Sequence, residues 1–344
     1  MNHYPSNVKE KLNSIILSMA EHHWLFSQNP GHDFTRQHLG KLSFYDTMRL
    51  IISMGKGSTN DEIMDYFDLD PDLIPSQSAF CQRRRQISLS AFEYLFSEFS
   101  SSFPSTTDKF KDHCILACDG CHVVYATNSD IIEDYNKPRL IDYKGYNHMH
   151  LNGFVDVISK AFLDVVIQPG QQPDEREALH SMLDHFTPDD PQKYIITADR
   201  GYESYDLLFH CELKNLGYVF RVKSPSSPKS ILSYYASELP DDLEEFDVTI
   251  KRFFTDKATN IMKSQSDVYR YINPSKNTPH FYELLRKKHS HLYFLQFRVV
   301  KIKTSENTYE YLITNLPFSF TLDDIRECYH WRWGIEISFR YLKH

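Results

Sequence analysis

Two aspartates stand where an apolar run gives way to glycine. Asp119 follows the run CILAC and precedes Gly120, and Asp199 follows YIITA and precedes Arg200–Gly201. The ends of strands present ligand-binding groups in α/β sheets, and a flanking glycine admits a phosphate or a second backbone. A single aspartate at a strand end is also typical of a turn or a helix cap. Each aspartate, considered by itself, can therefore be explained by a structural role.

A third carboxylate lies in the C-terminal segment TLDDIRECYHWRWGIEISFRYLKH, whose apolar residues have helical spacing. One side of that predicted helix carries Tyr329, Arg332, Glu336, Arg340 and Lys343. A carboxylate among cations and a hydroxyl suits a phosphodiester site, because the carboxylate completes a divalent metal site while the cations hold DNA phosphates. The structural alternative is an amphipathic helix stabilised by pairs such as Glu336–Arg340.

The spacing Tyr-x2-Arg-x3-Glu-x6-Lys, from Tyr329 to Lys343, resembles the Tyr-Arg-Glu-Lys signature of DDE transposases of the insertion sequence four family. The segments CDG at 118–120 and ADRGY at 198–202 resemble those around that family's first and second catalytic aspartates. The resemblance extends over most of the chain from about residue 40. It implies a ribonuclease-H-like core with a β-rich insertion between the second aspartate and the glutamate.

The same resemblance implies an activity: a DNA transposase that cleaves transposon ends and joins them to target DNA by two-metal-ion hydrolysis and strand transfer. Asp119, Asp199 and Glu336 would be catalytic and would hold two Mg²⁺ ions, with Mn²⁺ as a substitute. Tyr329, Arg332 and Lys343 would position phosphates. The implied partners are double-stranded DNA, as terminal inverted repeats and target, and a second protomer, since the full-length form is expected to be a homodimer on DNA. In that family a C-terminal region beyond this helix pairs the protomers.

The elements that must position these residues form an α/β pattern. From Cys114 onward, short apolar runs and helical patterns predict three strands, a helix, a strand, a helix and a strand, which make a mixed sheet. We therefore expect an α/β fold: a ribonuclease-H-like mixed sheet flanked by helices, with a β-rich insertion and an N-terminal all-helical region. The predicted domains are residues 1–108 and 109–344, with the basic insertion at about 224–318.

The N-terminal region contains a short helix, a connection with two prolines and a second helix that carries Arg83, Arg84 and Arg85. This arrangement resembles a helix-turn-helix reader of DNA, and these three arginines are the candidate DNA contacts. An ordinary helical bundle with a polar surface is the alternative.

The net charge of −8 conceals a separation of charge along the chain. Residues 251–303 contain twelve Lys or Arg and three acids, whereas residues 238–247 contain six acids and no base. With aromatic residues interleaved, the basic segment predicts a surface that faces a polyanion such as DNA. A solvated basic face over a β core is equally consistent with this composition.

Composition limits the other function classes. No apolar run is long enough for a transmembrane helix, so we expect no membrane partner, and six cysteines favour reduced thiols and a cytoplasmic location. One alternative is a catalytically inactive, truncated or domesticated DNA-binding protein derived from such a transposase. Another is a carboxylate-pair hydrolase without metal, such as a glycosidase, which leaves the basic residues unexplained.

The family's base-stacking tryptophan has no counterpart in the insertion, because the three tryptophans are Trp24, Trp331 and Trp333.

Overall fold

The computed structural model describes residues 4–35, 40–102, 109–138, 144–257, 259–273 and 278–343. The chain divides into two compact units, residues 1–104 and 105–344. The first unit contains the helices α1 (Tyr4–Glu21), α2 (Phe44–Ser53), α3 (Thr59–Tyr66), α4 (Gln77–Gln86) and α5 (Leu89–Ser101). None of the helices among the described residues has the length and apolar character needed to cross a membrane.

Serine caps determine where three helices of the first unit begin. The side chains of Ser43 and Ser58 form capping boxes at α2 and α3, and Ser76 caps α4. The connection from α3 to α4 spans residues 67–76, which is longer than the three or four residues usual in a helix-turn-helix. The DNA-binding role of this unit stays a prediction.

A ten-stranded mixed sheet organises the second unit, in the order β2-β3-β1-β5-β6-β10-β9-β7-β8, with β4 paired to β3. The strands are β1 (Cys114–Tyr125), β2 (Tyr135–Asn136), β3 (Tyr146–Asp156), β4 (Ala161–Pro169), β5 (Tyr194–Ala198), β6 (Gly217–Val222), β7 (Phe246–Thr255), β8 (Tyr269–Tyr271), β9 (Leu292–Ser305) and β10 (Thr308–Thr314). Strands β1, β5 and β6 are parallel neighbours, whereas β3 is antiparallel to both β1 and β4. The predicted mixed α/β sheet flanked by helices is confirmed.

The central strands are buried on both faces, which explains why their sequences are continuously apolar. Along β1, Leu116 and Cys118 enter one hydrophobic core while Ile115 and Ala117 enter the other. Helices α6 (Glu175–His185) and α7 (Tyr205–Leu213) contribute to the first core, and α10 (Leu322–Trp331) and α11 (Trp333–Lys343) to the second. From Asp119 onward β1 is only partly buried.

The segment between β6 and α10 adds four strands to the same sheet. Strand β10 pairs antiparallel with β6 and forms a hairpin with β9, so the sheet runs without interruption from the central strands into this segment. The segment also contains α8 (Asn260–Ser264) and α9 (Pro279–Lys287). Helix α9 packs on α7, with the rings of Phe281 and Phe209 4.8 Å apart.

The C-terminal helical pattern forms two consecutive helices rather than one. Thr321 and Asp324 make a capping box at the start of α10. Arg332 separates α10 from α11 but keeps helical dihedral angles, φ −50° and ψ −35°. The helical spacing of Tyr329, Arg332 and Glu336 is therefore nearly preserved across the break.

The basic segment 251–303 is partly neutralised by the acidic run that precedes it. Four of its bases pair with acids of residues 238–247: Arg252–Glu238, Arg298–Asp247, Lys301–Asp241 and Lys303–Glu244. Arg252, Arg298 and Lys301 are buried, so the interpretation as a polyanion-facing surface is wrong for these three bases. Among the described residues of the segment, the exposed bases are Lys251, Lys257, Lys263, Arg286, Lys287 and Lys288.

Candidate active site

The two sequence-predicted aspartates lie side by side because their strands are parallel neighbours. Cys118 of β1 lies opposite Ala198 of β5, and Asp119 and Asp199 are the next residues along each chain. Parallel strands lie about 4.8 Å apart, so both carboxyl groups are presented at the same edge of the sheet. The side chain of Asp199 accepts a hydrogen bond from the backbone N–H of Gly201 at 2.9 Å and begins a short 3-10 helix.

Glu336 reaches this edge from α11, which packs on β1. The link is Arg332: its Nη1 lies 3.4 Å from Asp119 Oδ2, and its Nη2 lies 3.3 Å from Glu336 Oε1. Asp199 also acts electrostatically on Arg332. Arg332, which is only 3% exposed, thus contacts two of the three predicted carboxylates and acts electrostatically on the third; the three are here called the acidic triad (Asp119, Asp199 and Glu336).

Burial shapes the electrostatics of Asp119. Its removal from water raises the pKa of Asp119 to about 6, and the carboxylates of Glu175 and Glu336 add to the increase. The N–H of Gly120 and the charge of Arg332 oppose it. Burial disfavours the charged form of Arg332, but Tyr329 and the three nearby carboxylates outweigh that effect and raise the pKa of Arg332. A cation is therefore strongly favoured at this position.

Tyr329 lies next to the same guanidinium, with Arg332 Cζ 5.5 Å from the centre of its ring. Tyr329 is buried, and its hydroxyl has no hydrogen-bond partner among the described residues. Burial raises the pKa of this hydroxyl, so it stays a neutral donor at pH 7. A buried hydroxyl without a partner among the described residues is unusual in a folded protein and marks Tyr329, beside Arg332, as a residue that calls for a functional explanation.

Sequence reasoning missed a fourth carboxylate, Glu175, at the first turn of α6. Its Oε1 lies 3.3 Å from His150 Nε2, and it acts on Asp119 electrostatically. A Cβ atom at Gly120 would lie 2.8 Å from Glu175 Oε1 and would overlap the ring of His150, which explains the glycine after Asp119. The segment DERE at 174–177 marks only a helix start in the sequence, so the sheet pairing was needed to find Glu175.

The other predicted DNA contacts are not part of this group. Arg340 is exposed on α11, and the side chain of Lys343 lies outside the described residues. Arg83, Arg84 and Arg85 end α4 in the first unit. There Arg83 donates to Gln86 and stacks on Phe34, Arg84 stacks on Phe80, and Arg85 is exposed.

Comparison with known proteins supplies the family. The sequence profile of the transposase DDE domain matches residues 110–344, about two thirds of the chain. The chain belongs to this family. No curated protein sequence matches the chain significantly.

The chain is also similar to solved structures, of which two are described here. One is the piggyBac transposase in a synaptic complex with hairpin DNA, with a TM-score of 0.42 and 10% identity over 85% of this chain and 55% of that chain. The other is Ciona intestinalis Endonuclease V in complex with a 24mer DNA containing an inosine followed by a ribo-adenosine, with a TM-score of 0.27 and 9% identity over 74% of this chain and 97% of that chain. The chain thus spans about half the length of the piggyBac transposase chain.

Within the DDE domain, the acidic triad offers a set of oxygen ligands. Carboxylate oxygens are the donors that hard divalent cations such as Mg²⁺ prefer. The triad lies at an edge of the sheet where Asp119 and Glu336 remain 21% and 40% exposed, so solvent and substrate can reach them. Carboxylate oxygens of this kind suit a divalent cation, and Arg332 places a positive charge beside two of them.

Proposed function

We propose that this chain is a DNA transposase of the insertion sequence four family that cleaves transposon ends and joins them to target DNA. The observation that carries the proposal is that one buried guanidinium, Arg332, bridges Asp119 of β1 and Glu336 of α11, while Asp199 follows the strand paired with β1 and acts on the same guanidinium electrostatically. The Tyr329-to-Lys343 signature and the match to the transposase DDE domain agree with it.

The acidic triad fits divalent metal ions. The guanidinium of Arg332 bridges Asp119 and Glu336 and serves as a stand-in cation, which indicates that the position holds positive charge. Asp119, Asp199 and Glu336 would hold Mg²⁺, or Mn²⁺ as a substitute. When bound, the two ions would activate the attacking water or DNA 3′-hydroxyl and stabilise the leaving oxygen.

The chain's own residues then have distinct tasks. Asp119 must be ionised to bind a cation, and its pKa of about 6 leaves it largely ionised at pH 7. Arg332, released from the carboxylates, would donate to a phosphate in a bidentate manner, which suits its planar guanidinium. Tyr329 would donate its hydroxyl to the same phosphate, and Arg340 and Lys343 would contact the DNA backbone further along α11.

The fold and domain assignments extend this proposal. We place the strands β4-β3-β1-β5-β6, three antiparallel followed by two parallel neighbours, in the ribonuclease-H-like class. Residues 109–344 would form the catalytic domain with its insertion at about 224–318, and residues 1–108 the helical DNA-binding region that uses Arg83, Arg84 and Arg85. The longer form would act as a homodimer on terminal inverted repeats.

The test uses a plasmid that carries the DNA flanking this chain's own gene. Wild-type protein with Mg²⁺ or Mn²⁺ should nick at the element ends, whereas Glu336→Gln and an EDTA control should not. Glu327→Gln, an exposed carboxylate of α10, is the matched control and should cleave normally. Cleavage that survives Glu336→Gln or EDTA would contradict the proposed mechanism.

A separate binding measurement distinguishes the alternative. End binding that weakens with salt, without cleavage by any variant, would identify a catalytically inactive DNA-binding protein. Cleavage by the wild type and Glu327→Gln alone would support the transposase.

A further inference from the structure

The first turn of α6 brings the carboxylate of Glu175 against the backbone that follows both aspartates of the acidic triad. A Cβ atom built on Gly120 would lie 2.8 Å from Glu175 Oε1, and one built on Gly201 would lie 3.2 Å from Glu175 Oε2. These glycines come one residue after Asp119 and two residues after Asp199. Because neither glycine has a side chain, the carboxylate can approach both backbone segments closely.

Hydrogen bonds on either side of Glu175 hold this turn in place. Arg176 donates from its Nε to the carbonyl oxygen of Gly201 at 3.0 Å. The side chain of Gln168, on β4, donates to the carbonyl oxygen of Asp174 at 2.9 Å and accepts from its backbone N–H at 3.0 Å. The residues before and after Glu175 are thus anchored, one to β4 and one to the loop after β5, which fixes where its carboxylate lies.

Glu175 adds negative charge to a position that already has too much of it. It raises the pKa of Asp119, and its effect is larger than that of Glu336. Arg332 is already shared between Asp119 and Glu336. Glu175 remains 35% exposed, so ions can reach it from solvent. Carboxylates crowded in this way repel one another, and a bound divalent cation reverses that effect.

A buried histidine faces Glu175 and supplies an independent observation. His150 is 3% exposed, and neither of its ring nitrogens makes a hydrogen bond among the described residues. Its Nε2 lies 3.3 Å from Glu175 Oε1 and is the first atom that a Cβ on Gly120 would meet. Buried nitrogens without a hydrogen bond are uncommon in folded proteins. Carboxylates that bind metals are themselves held by such outer partners, and His150 Nε2 is placed to donate to Glu175.

We propose that Glu175 is a fourth carboxylate of the metal site, with His150 as its positioning residue. The inference rests on the proposed function, because it concerns the divalent ions of the same site. Helices α6 and α11 pack on opposite faces of the sheet, so Glu175 and Glu336 approach Asp119 from opposite sides. Each Mg²⁺ is usually bound by one or two carboxylates, and a pair of ions therefore accommodates four.

The test measures Mn²⁺ binding to metal-stripped protein without DNA, from the electron paramagnetic resonance signal of free Mn²⁺. Glu175→Gln should weaken binding by more than about 10-fold, because even the loss of an outer partner usually costs 10- to 100-fold in metal affinity. His150→Leu should also weaken it. His150→Gln keeps a donor near the position of Nε2 and should restore most of the affinity, which a purely structural role of the ring does not predict.

Two controls separate a lost ligand from a lost fold. Glu177→Gln removes an exposed carboxylate two residues further along α6 and should bind Mn²⁺ as the wild type does. In EDTA, the melting temperature of Glu175→Gln should be no lower than that of the wild type, because the substitution removes a charge that repels Asp119. Loss of binding together with a lower melting temperature would count against the proposal.

The remaining outcomes distinguish this inference from the proposed function. Mn²⁺ binding that Asp119→Asn weakens and Glu175→Gln does not would overturn the inference and leave the acidic triad as the complete site. Absence of Mn²⁺ binding by the wild type would also overturn it. Mn²⁺ binding that depends on Glu175, in a protein that does not cleave its element ends, would instead contradict the transposase activity and leave this inference standing.

Discussion

Replacing the Asp119 carboxylate by an amide should stabilise the metal-free protein. The folded protein holds the proton of Asp119 with a pKa of about 6, against 3.8 for an unperturbed aspartate. At pH 7 the carboxylate of Asp119 is ionised in the native state, although its ionised form has a lower free energy in the unfolded chain. At about 1.4 kcal/mol per pKa unit, this difference lowers the free energy of unfolding by about 3 kcal/mol at pH 7. Asp119→Asn removes that cost and keeps the acceptor for the Gly120 N–H.

The sign of the pH dependence follows from the same two values. Because the native carboxyl binds its proton more tightly, the wild type gains stability as the pH falls from about 6 towards 4. The advantage of Asp119→Asn should therefore shrink to about half at pH 5 and to about a fifth at pH 4. A substitution that stabilises by packing alone would show no such dependence.

The assay is urea unfolding in EDTA at pH 7, 5 and 4, followed by the fluorescence of Trp331 and Trp333, which flank Arg332. Glu327→Gln is the control: this carboxylate is exposed on α10, and its replacement should change the free energy of unfolding by less than about 0.5 kcal/mol. Added Mg²⁺ should stabilise the wild type and not Asp119→Asn. Equal stability of wild type and Asp119→Asn at pH 7, or a difference that does not change with pH, would refute the reasoning.

Three further predictions concern other parts of the chain. Gly120→Ala should lower the free energy of unfolding by about 1–3 kcal/mol in urea denaturation, because its Cβ would overlap His150 and press on Glu175; an unchanged midpoint would contradict the packing. Arg298→Met should lower the free energy of unfolding by about 3–5 kcal/mol, since it leaves Asp247 and the carbonyls of Leu316 and Pro317 without their donor. The control Lys257→Met, at an exposed position, should change this free energy by less than about 0.5 kcal/mol. Arg340→Gln should weaken the salt dependence of binding to the transposon ends: the slope of the logarithm of the binding constant against the logarithm of salt concentration should fall by about one, with no change in melting temperature. An unchanged slope would exclude a phosphate contact by Arg340.

The sequence determines the placement of candidate residues where the backbone alone decides it. Asp119 and Asp199 each follow an apolar run, and two parallel neighbours necessarily present such residues at one edge. The position of Glu336 follows from the helical spacing of the C-terminal segment and from the apolar side of that helix, which packs on the sheet. Glu175 could not be predicted, because its place beside Asp119 depends on how the N-terminus of α6 crosses β1, and no local pattern encodes that crossing.

The stacked rings of His180, His210 and His280 show the same limit more clearly. These residues are 30 and 70 residues apart in the sequence, and no short spacing links them. Two of the histidines come from helices on the predicted sheet, but the third comes from α9, whose packing on α7 depends on the strands added after β6. Contacts of this kind require the tertiary structure.

Three of the bases that the charge separation assigned to a polyanion-facing surface are buried instead, for a physical reason. Six acids followed by twelve bases suggest two opposed faces when they are read along the chain, but β7 and β9 pair antiparallel and carry bases from both ends of the segment to the acidic run. Arg252, Arg298 and Lys301 are consequently buried and paired, and a buried, paired cation cannot also hold a DNA phosphate without leaving its carboxylate unpaired. A DNA-binding surface on this segment would therefore have to use its exposed bases. Net charge along a sequence indicates such a surface only after the bases that form ion pairs within the fold have been left out of the count.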